Sequence, residues 1–123
     1  MWTIEELQIW RDSINLAKTV YITAINSERL KHDYWLRDQI QRCAVSVASN
    51  IAEWYNRWSD KEFLRFLYIA RWSIWELKTQ LVICKEIWYI NEKELDNISQ
   101  EIIKIHKMLN WFINKLNSDL NSQ

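Results

Sequence analysis

Apolar residues recur at steps of three and four along most of the chain, which is the spacing of one face of an α-helix. The clearest row lies in the last third and consists of Leu95, Ile98, Ile102, Ile105, Leu109, Phe112 and Leu116. No segment alternates with the period of a β-strand. The pattern predicts an all-α single domain over residues 1–123, with helices at about 3–25, 33–54, 60–87 and 92–116. Short connections favour an antiparallel up-down-up-down four-helix bundle.

The other three helices have predicted core rows of the same kind. In the first helix the row is Leu7, Trp10, Ile14, Ala17, Tyr21 and Ala24. In the second it is Leu36, Ile40, Cys43, Val47 and Ile51, and in the third it is Phe63, Phe66, Leu67, Ala70, Ile74, Leu77, Leu81 and Cys84.

Three helix starts carry capping residues at the expected spacing. Thr3 with Glu6 and Ser59 with Glu62 have the spacing of a capping box, and Asn91 with Glu94 has cap spacing too. The segment Trp88-Tyr89-Ile90 lies where a helix usually ends in glycine followed by an apolar residue that folds back. We expect the polar tail from Asn117 to fray.

Polar residues form a second row beside the apolar one on two consecutive helices. On the second helix, continued into the following turn, the row is Gln39, Arg42, Ser46, Asn50, Glu53 and Arg57. On the third helix it is Ser73, Glu76 and Gln80. Two interpretations stay open: a solvated flank, or a polar seam that faces another helix or another subunit. The second makes these residues candidates for an oligomer interface.

The segments QIQRCA and SVASNIAEWYNRWSDKEFLRFLYIARWSIWELKTQL carry a recognisable motif. In this motif the chain resembles the four helix bundle protein family, also called the 23S rRNA-intervening sequence protein family, and the match extends over nearly the whole chain. The residues that fall in place are Ile9, Trp10, Gln39, Arg42, Ser46, Asn50 to Glu53, Arg57, Ser59, Glu62, Phe63, Phe66, Leu67, Ile69, Ala70, Ser73, Glu76, Leu77 and Thr79 to Leu81.

The resemblance implies a compact four-helix bundle that forms ring-like homopentamers. Some relatives are encoded within large ribosomal RNA genes. Others are accessory proteins of diversity-generating retroelements, which bind a reverse transcriptase and nucleic acid and are strongly basic. This chain has 16 Lys plus Arg and 16 Asp plus Glu, so its net charge is zero. Neutrality removes the overall field that attracts nucleic acid and argues against that accessory role.

Composition and spacing argue for a cytoplasmic protein without cofactor, metal site or catalytic residues. The longest uncharged run, Cys43 to Ala52, has ten residues, against roughly 20 for a membrane span. Cys43 and Cys84 lie in apolar rows and are read as core thiols. His32 and His106 lack the Glu-x-x-His spacing of a di-iron bundle. A hydrolase that uses Glu53 or Glu76 is a third functional hypothesis, beside the two given in the next paragraph.

Two functional hypotheses follow. The first is a non-enzymatic, self-assembling scaffold or adaptor, a homo-oligomer and by resemblance a pentamer, serving an RNA or ribonucleoprotein partner, with no small-molecule substrate and no membrane. The alternative is direct RNA binding through Arg37, Arg42, Arg57 and Arg71.

The chain has no glycine and nine tryptophans, whereas average usage of ~7% would give about 9 glycines. Trp54, Trp58, Trp72 and Trp88 stand where the family pattern has glycine, and Trp2, Trp35, Trp75 and Trp111 are compatible with glycine. Trp10 alone matches a family tryptophan. These positions suggest a gene in which UGA encodes glycine, translated as though UGA encoded tryptophan. A naturally tryptophan-rich chain is the other interpretation.

Overall fold

The computed structural model describes residues 2–56 and 58–122, without the side chains of Trp54 and Tyr55. In order, the elements are α1 (Ile4–Asn26), α2 (Glu28–His32), α3 (Tyr34–Ala52), a 3₁₀ helix (Glu53–Asn56), α4 (Asp60–Glu86) and α5 (Glu92–Asn121). The residues described contain no β-strand. The prediction of an all-α fold is confirmed, with the short helix α2 added to the four long ones.

The four long helices contact one another in a closed cycle. α1 packs against α3, α3 against α4, α4 against α5, and α5 against α1. This is the set of neighbours in a four-helix bundle, and it places α1 and α4 at opposite corners. The buried side chains of all four helices form one core, which includes the fully buried Phe63, Leu77 and Ile105.

The apolar row predicted for the core of α1 is wrong in its position on the helix. The buried residues are Glu6, Ile9, Asp12, Ser13, Leu16, Val20 and Ala24, of which only Ala24 belongs to the predicted row. Ile14 and Tyr21 are 41% and 39% exposed, and Trp10 and Ala17 lie at the edge of the core. The helix carries two neighbouring apolar rows, and both satisfy the spacing of three and four, so periodicity alone cannot choose between them.

The other predicted core rows coincide with buried positions. All five residues of the α3 row are buried. In α4 only Phe66 is half-buried, and in α5 only Leu95 is half-buried. For α3, α4 and α5 the spacing therefore identifies the buried face.

Side-chain caps begin the long helices. The Thr3 hydroxyl accepts from the Glu6 N–H at 3.1 Å, and the Glu6 carboxylate accepts from the Thr3 N–H at 3.3 Å, so this predicted capping box is confirmed. Asn91 and Glu94 form another. At Ser59 the hydroxyl accepts from the Glu62 N–H at 3.2 Å, while the Glu62 carboxylate pairs with Arg65.

The connection between α1 and α3 is tied to the turn between α4 and α5. Ser27 ends α1 and caps α2, and its hydroxyl donates to the Tyr89 carbonyl at 2.5 Å. The Tyr89 hydroxyl donates in turn to Asp33 Oδ2 at 2.9 Å. These long-range hydrogen bonds fix both connections at one end of the bundle.

The last helix continues to Asn121, beyond the point where the polar sequence predicted fraying. Asn117 donates to the Tyr68 hydroxyl at 3.2 Å, and Leu120 packs against the core. Contacts with α4 therefore support a segment whose composition alone favours a loose tail.

Candidate functional site

A polar seam runs between α3 and α4, where the two predicted polar rows meet. Ser46 and Ser73 share a hydroxyl hydrogen bond of 2.9 Å, and Ser73 is buried. The Asn50 amide donates to the Ser46 hydroxyl at 3.1 Å and to the Ser46 carbonyl at 2.8 Å. The small side chains bring polar groups of the two helices together, and each hydroxyl obtains the partner that burial requires.

The seam continues along both helices at Cys43. Its thiol donates to Glu76 Oε2 at 3.5 Å. Burial, together with the Glu76 carboxylate, raises the pKa of Cys43 to about 11, while a hydrogen bond from Gln80 opposes this shift. Among the described residues, Gln80 Oε1 is a buried acceptor without a partner. The thiol is therefore a neutral member of the seam.

The remaining predicted interface residues lie outside this network. Gln39 and Glu53 are half-buried, Arg42 is exposed, and Arg57 lies outside the described residues. The structure therefore brings together Ser46, Asn50, Ser73, Glu76 and Gln80 within one chain. That these rows contact another subunit stays a prediction.

Of the arginines predicted for RNA binding, Arg57 lies outside the described residues, and the other three do not form one cluster. Arg37 donates to the Lys31 carbonyl at 3.1 Å and lies 4.9 Å from the Tyr34 ring centroid. Arg71 donates to Asn110 of α5 at 2.9 Å. Arg42 is exposed on α3. Two of the three described arginines thus have intramolecular partners.

A second polar cluster, between α1 and α5, was missed by the sequence reasoning. Lys104 Nζ lies 3.4 Å from Asp12 Oδ1, which also accepts from Gln8 at 2.9 Å. Burial raises the pKa of Glu101, and a hydrogen bond with Thr19 opposes this. Asp12 and Thr19 are seven residues apart, so they share a flank of α1. This spacing was the available signal, and it marks the flank that faces α5.

Apolar side chains occupy the opposite flank of α1, which adjoins α3. Ile14, Tyr21 and Ile25 are exposed there and, with the half-buried Trp10 and Ala17, form what we call the α1 flank row. The flank of α4 that adjoins α3, continued to the C-cap residue Ile87, carries residues at steps of 4, 3, 4, 3 and 4. We call this the α4 flank row: Ile69, Ser73, Glu76, Gln80, Ile83 and Ile87. All three isoleucines of that row are exposed.

Among the described residues, His106 is in contact with an aromatic ring and an amide. His106 contacts the Trp75 ring at 5.4 Å between centroids and the Asn110 amide at 3.5 Å. Burial, helped by Arg71 and Lys78, lowers its pKa. Across residues 2–56 and 58–122 there is no cluster of three metal-ligating side chains. Within the same ranges no helix has the length and hydropathy to span a membrane.

These features define a small all-helical bundle with a polar seam along one pair of helices. The chain belongs to the 23S rRNA-intervening sequence protein family, whose model matches residues 5–111. Its fold is similar to a crystal structure of a protein of unknown function from the S23 ribosomal protein family of Bacteroides thetaiotaomicron. The two chains are 22% identical with a TM-score of 0.81, over 90% of this chain and 99% of the other. No curated protein matches the sequence.

The Ser46–Ser73 pair predicts a strong non-additivity. We expect Ser46→Ala to lower the free energy of unfolding by about 1–3 kcal/mol, because it leaves the buried Ser73 hydroxyl without its partner. Ser73→Ala should cost less, because the Ser46 hydroxyl keeps its hydrogen bond from the Asn50 amide. The double variant should lower the free energy of unfolding by less than the sum of the two single variants. A double-mutant cycle from urea unfolding measures the coupling, and additive effects would show that the hydroxyls do not interact.

Both cysteines should react slowly in the folded protein. Burial raises the pKa of Cys84 to about 12, with Asp33 adding to the effect, and Cys43 is shifted in the same direction. Raised thiol pKa values lower the fraction of reactive thiolate at pH 8, by roughly a hundredfold for Cys43. Thiol labelling with a chromogenic disulfide should be slow until the chain is unfolded by denaturant. Rapid labelling of the native protein would contradict the buried positions.

Proposed function

We propose that this protein is a non-enzymatic scaffold or adaptor that works in the cytoplasm as a homo-oligomer. The resemblance to the family makes a pentamer the expected size. The observation that carries the proposal is the α1 flank row, in which Ile14, Tyr21 and Ile25 stay exposed beside the subunit's own core. Exposed apolar rows at this spacing are typical of helix surfaces that contact another protein.

The chemistry of the described side chains supports a role without catalysis. The two thiols are buried and carry raised pKa values, so they are poor nucleophiles. Glu76 contacts the Cys43 thiol, and Glu53 lies in the 3₁₀ helix after α3. Neither carboxylate has a histidine among its described hydrogen-bond partners. The proposed role of Glu76 is structural, through its contact with Cys43 in the seam.

The partner we propose is an RNA or a ribonucleoprotein, because the description of the family refers to an intervening sequence of 23S rRNA. Direct RNA binding is the second candidate function, and the exposure of Arg42 favours it. Zero net charge and the intramolecular contacts of Arg37 and Arg71 favour the scaffold. An oligomer could still present several copies of Arg42 together.

The mass in solution tests the scaffold. We expect light scattering on the purified chain, made both as written and with glycine at the eight tryptophans other than Trp10, to give a closed oligomer, with five copies as the expected number. A monomer at micromolar concentration in both forms would overturn the proposal. RNA binding by the same samples separates the two functions, since direct phosphate contacts lose affinity steeply between low and high salt. A salt-insensitive assembly without RNA affinity supports the scaffold alone.

A further inference from the structure

We propose that the α1 flank row of one copy docks on the α4 flank row of the next copy. This rests on the self-assembly proposed above and identifies the two surfaces that would produce it. Both rows advance by steps of three or four residues, which allows side chains of one helix to fit between those of another. The apolar parts are Ile14, Tyr21 and Ile25 on α1 and Ile69, Ile83 and Ile87 on α4.

Charge complementarity selects this pairing over the symmetric ones. Lys18 is exposed at the outer edge of the α1 flank row, four residues after Ile14 and three before Tyr21. Glu76 is exposed in the middle of the α4 flank row. Two α1 flank rows facing each other would bring lysines together, and two α4 flank rows would bring glutamates together. The mixed pairing places opposite charges within an apolar surround.

The positions of the two rows also favour a closed ring. Because the contacting surfaces differ, the interface is heterologous, and repeated copies close into a ring when the rotation between them permits. Both rows adjoin α3, so they lie on two adjacent sides of the bundle that meet at that helix. The two contacting sides of each subunit converge at α3. Ring closure would therefore turn the outer side of α3, including Arg42, Val45 and Ser49, towards the ring axis.

A charge exchange tests the docking. We expect Lys18→Glu and Glu76→Lys each to raise the dissociation constant of the oligomer at least tenfold in sedimentation velocity, and the double variant to recover most of the loss. Ile14→Ser should also dissociate the oligomer, and the matched control Ile103→Ser, an exposed isoleucine on α5, should not. Thermal unfolding of each variant separates lost docking from lost folding.

The outcomes distinguish this docking from the proposed function. An oligomer that persists in Lys18→Glu, Glu76→Lys and Ile14→Ser alike overturns the docking and leaves self-assembly intact. Dissociation by Lys18→Glu without recovery in the double variant shows that Lys18 meets something other than Glu76, and also overturns the pairing. A wild-type monomer overturns both proposals.

Independently, we infer that residue 88 is glycine in the natural protein, and that the other tryptophans encoded by the same codon are glycines too. Trp88 has φ = 67°, and no other described non-glycine residue has positive φ. Its N–H bonds the Lys85 carbonyl at 3.1 Å, and the Tyr89 N–H bonds the Cys84 carbonyl at 2.8 Å. This pair of hydrogen bonds is the Schellman motif, whose left-handed position is usually glycine.

The exposure of six of the eight suspect tryptophans agrees with this inference, while Trp2 is half-buried against Trp10. Trp58 and Trp88 are 94% and 82% exposed, and Trp35, Trp72, Trp75 and Trp111 are exposed as well. Trp10, by contrast, packs against the core. Glycine is unfavourable inside a helix such as α4. A reassigned codon nevertheless specifies glycine at every position where it occurs, including positions inside helices. A glycine in place of Trp72 would let a neighbouring copy approach α4 closely.

Two measurements test the glycine assignment. The mass of the protein isolated from its natural source should fall below 15.1 kDa by eight tryptophan-to-glycine differences, and fragmentation should place glycine at position 88. In the recombinant chain, Trp88→Gly should raise the folding equilibrium constant roughly tenfold because it removes the steric cost of the left-handed conformation. Trp88→Ala, which keeps a Cβ, should not. Tryptophan at position 88 of the natural protein would overturn the inference.

Discussion

The bundle depends on the close approach of α3 and α4, because that contact must bury polar side chains as well as apolar ones. Alanine and serine keep the two backbones near each other, and the hydroxyls of Ser46 and Ser73 then lose water and pair across the contact. Asn50 and Glu76 complete the network on either side. A hydrophobic seam could slide along the helix axes, whereas paired hydroxyls and a thiol–carboxylate contact fix one register. Polar groups here contribute specificity more than stability.

The same seam bears on assembly, because it occupies the middle of the α4 flank row. Ser73 and Gln80 are used within the chain, while Ile69 and Ile83 on either side of them stay exposed. A second copy would therefore meet apolar contacts above and below a centre that is already hydrogen-bonded. Glu76 belongs both to the seam and to the surface that a second copy would meet, because one carboxylate oxygen contacts Cys43 and the side chain is exposed. Assembly would then add to the seam without disrupting it.

Helix existence could be predicted from the sequence because caps and periodicity are local properties. The capping box at Thr3 and the core rows of α3 and α5 agree with the structure for that reason. The buried face of α1 could not be predicted from the sequence, because two apolar rows compete and only the positions of α3 and α5 decide between them. The cluster of Asp12 with Lys104 was missed because it joins the first and last helices. Both polar rows were visible, but their use within one chain or between chains depends on packing.

The turn at residue 88 shows how backbone geometry can constrain residue identity. A Schellman motif requires a left-handed residue wherever the chain must turn back sharply after a helix, and here the turn is over-determined by Ser27, Tyr89 and Asp33. These hydrogen bonds hold the connection whichever residue occupies position 88. The side chain at that position contributes only steric cost, because it points into solvent. A residue without a Cβ removes that cost and no described contact, so the conformation itself argues for glycine.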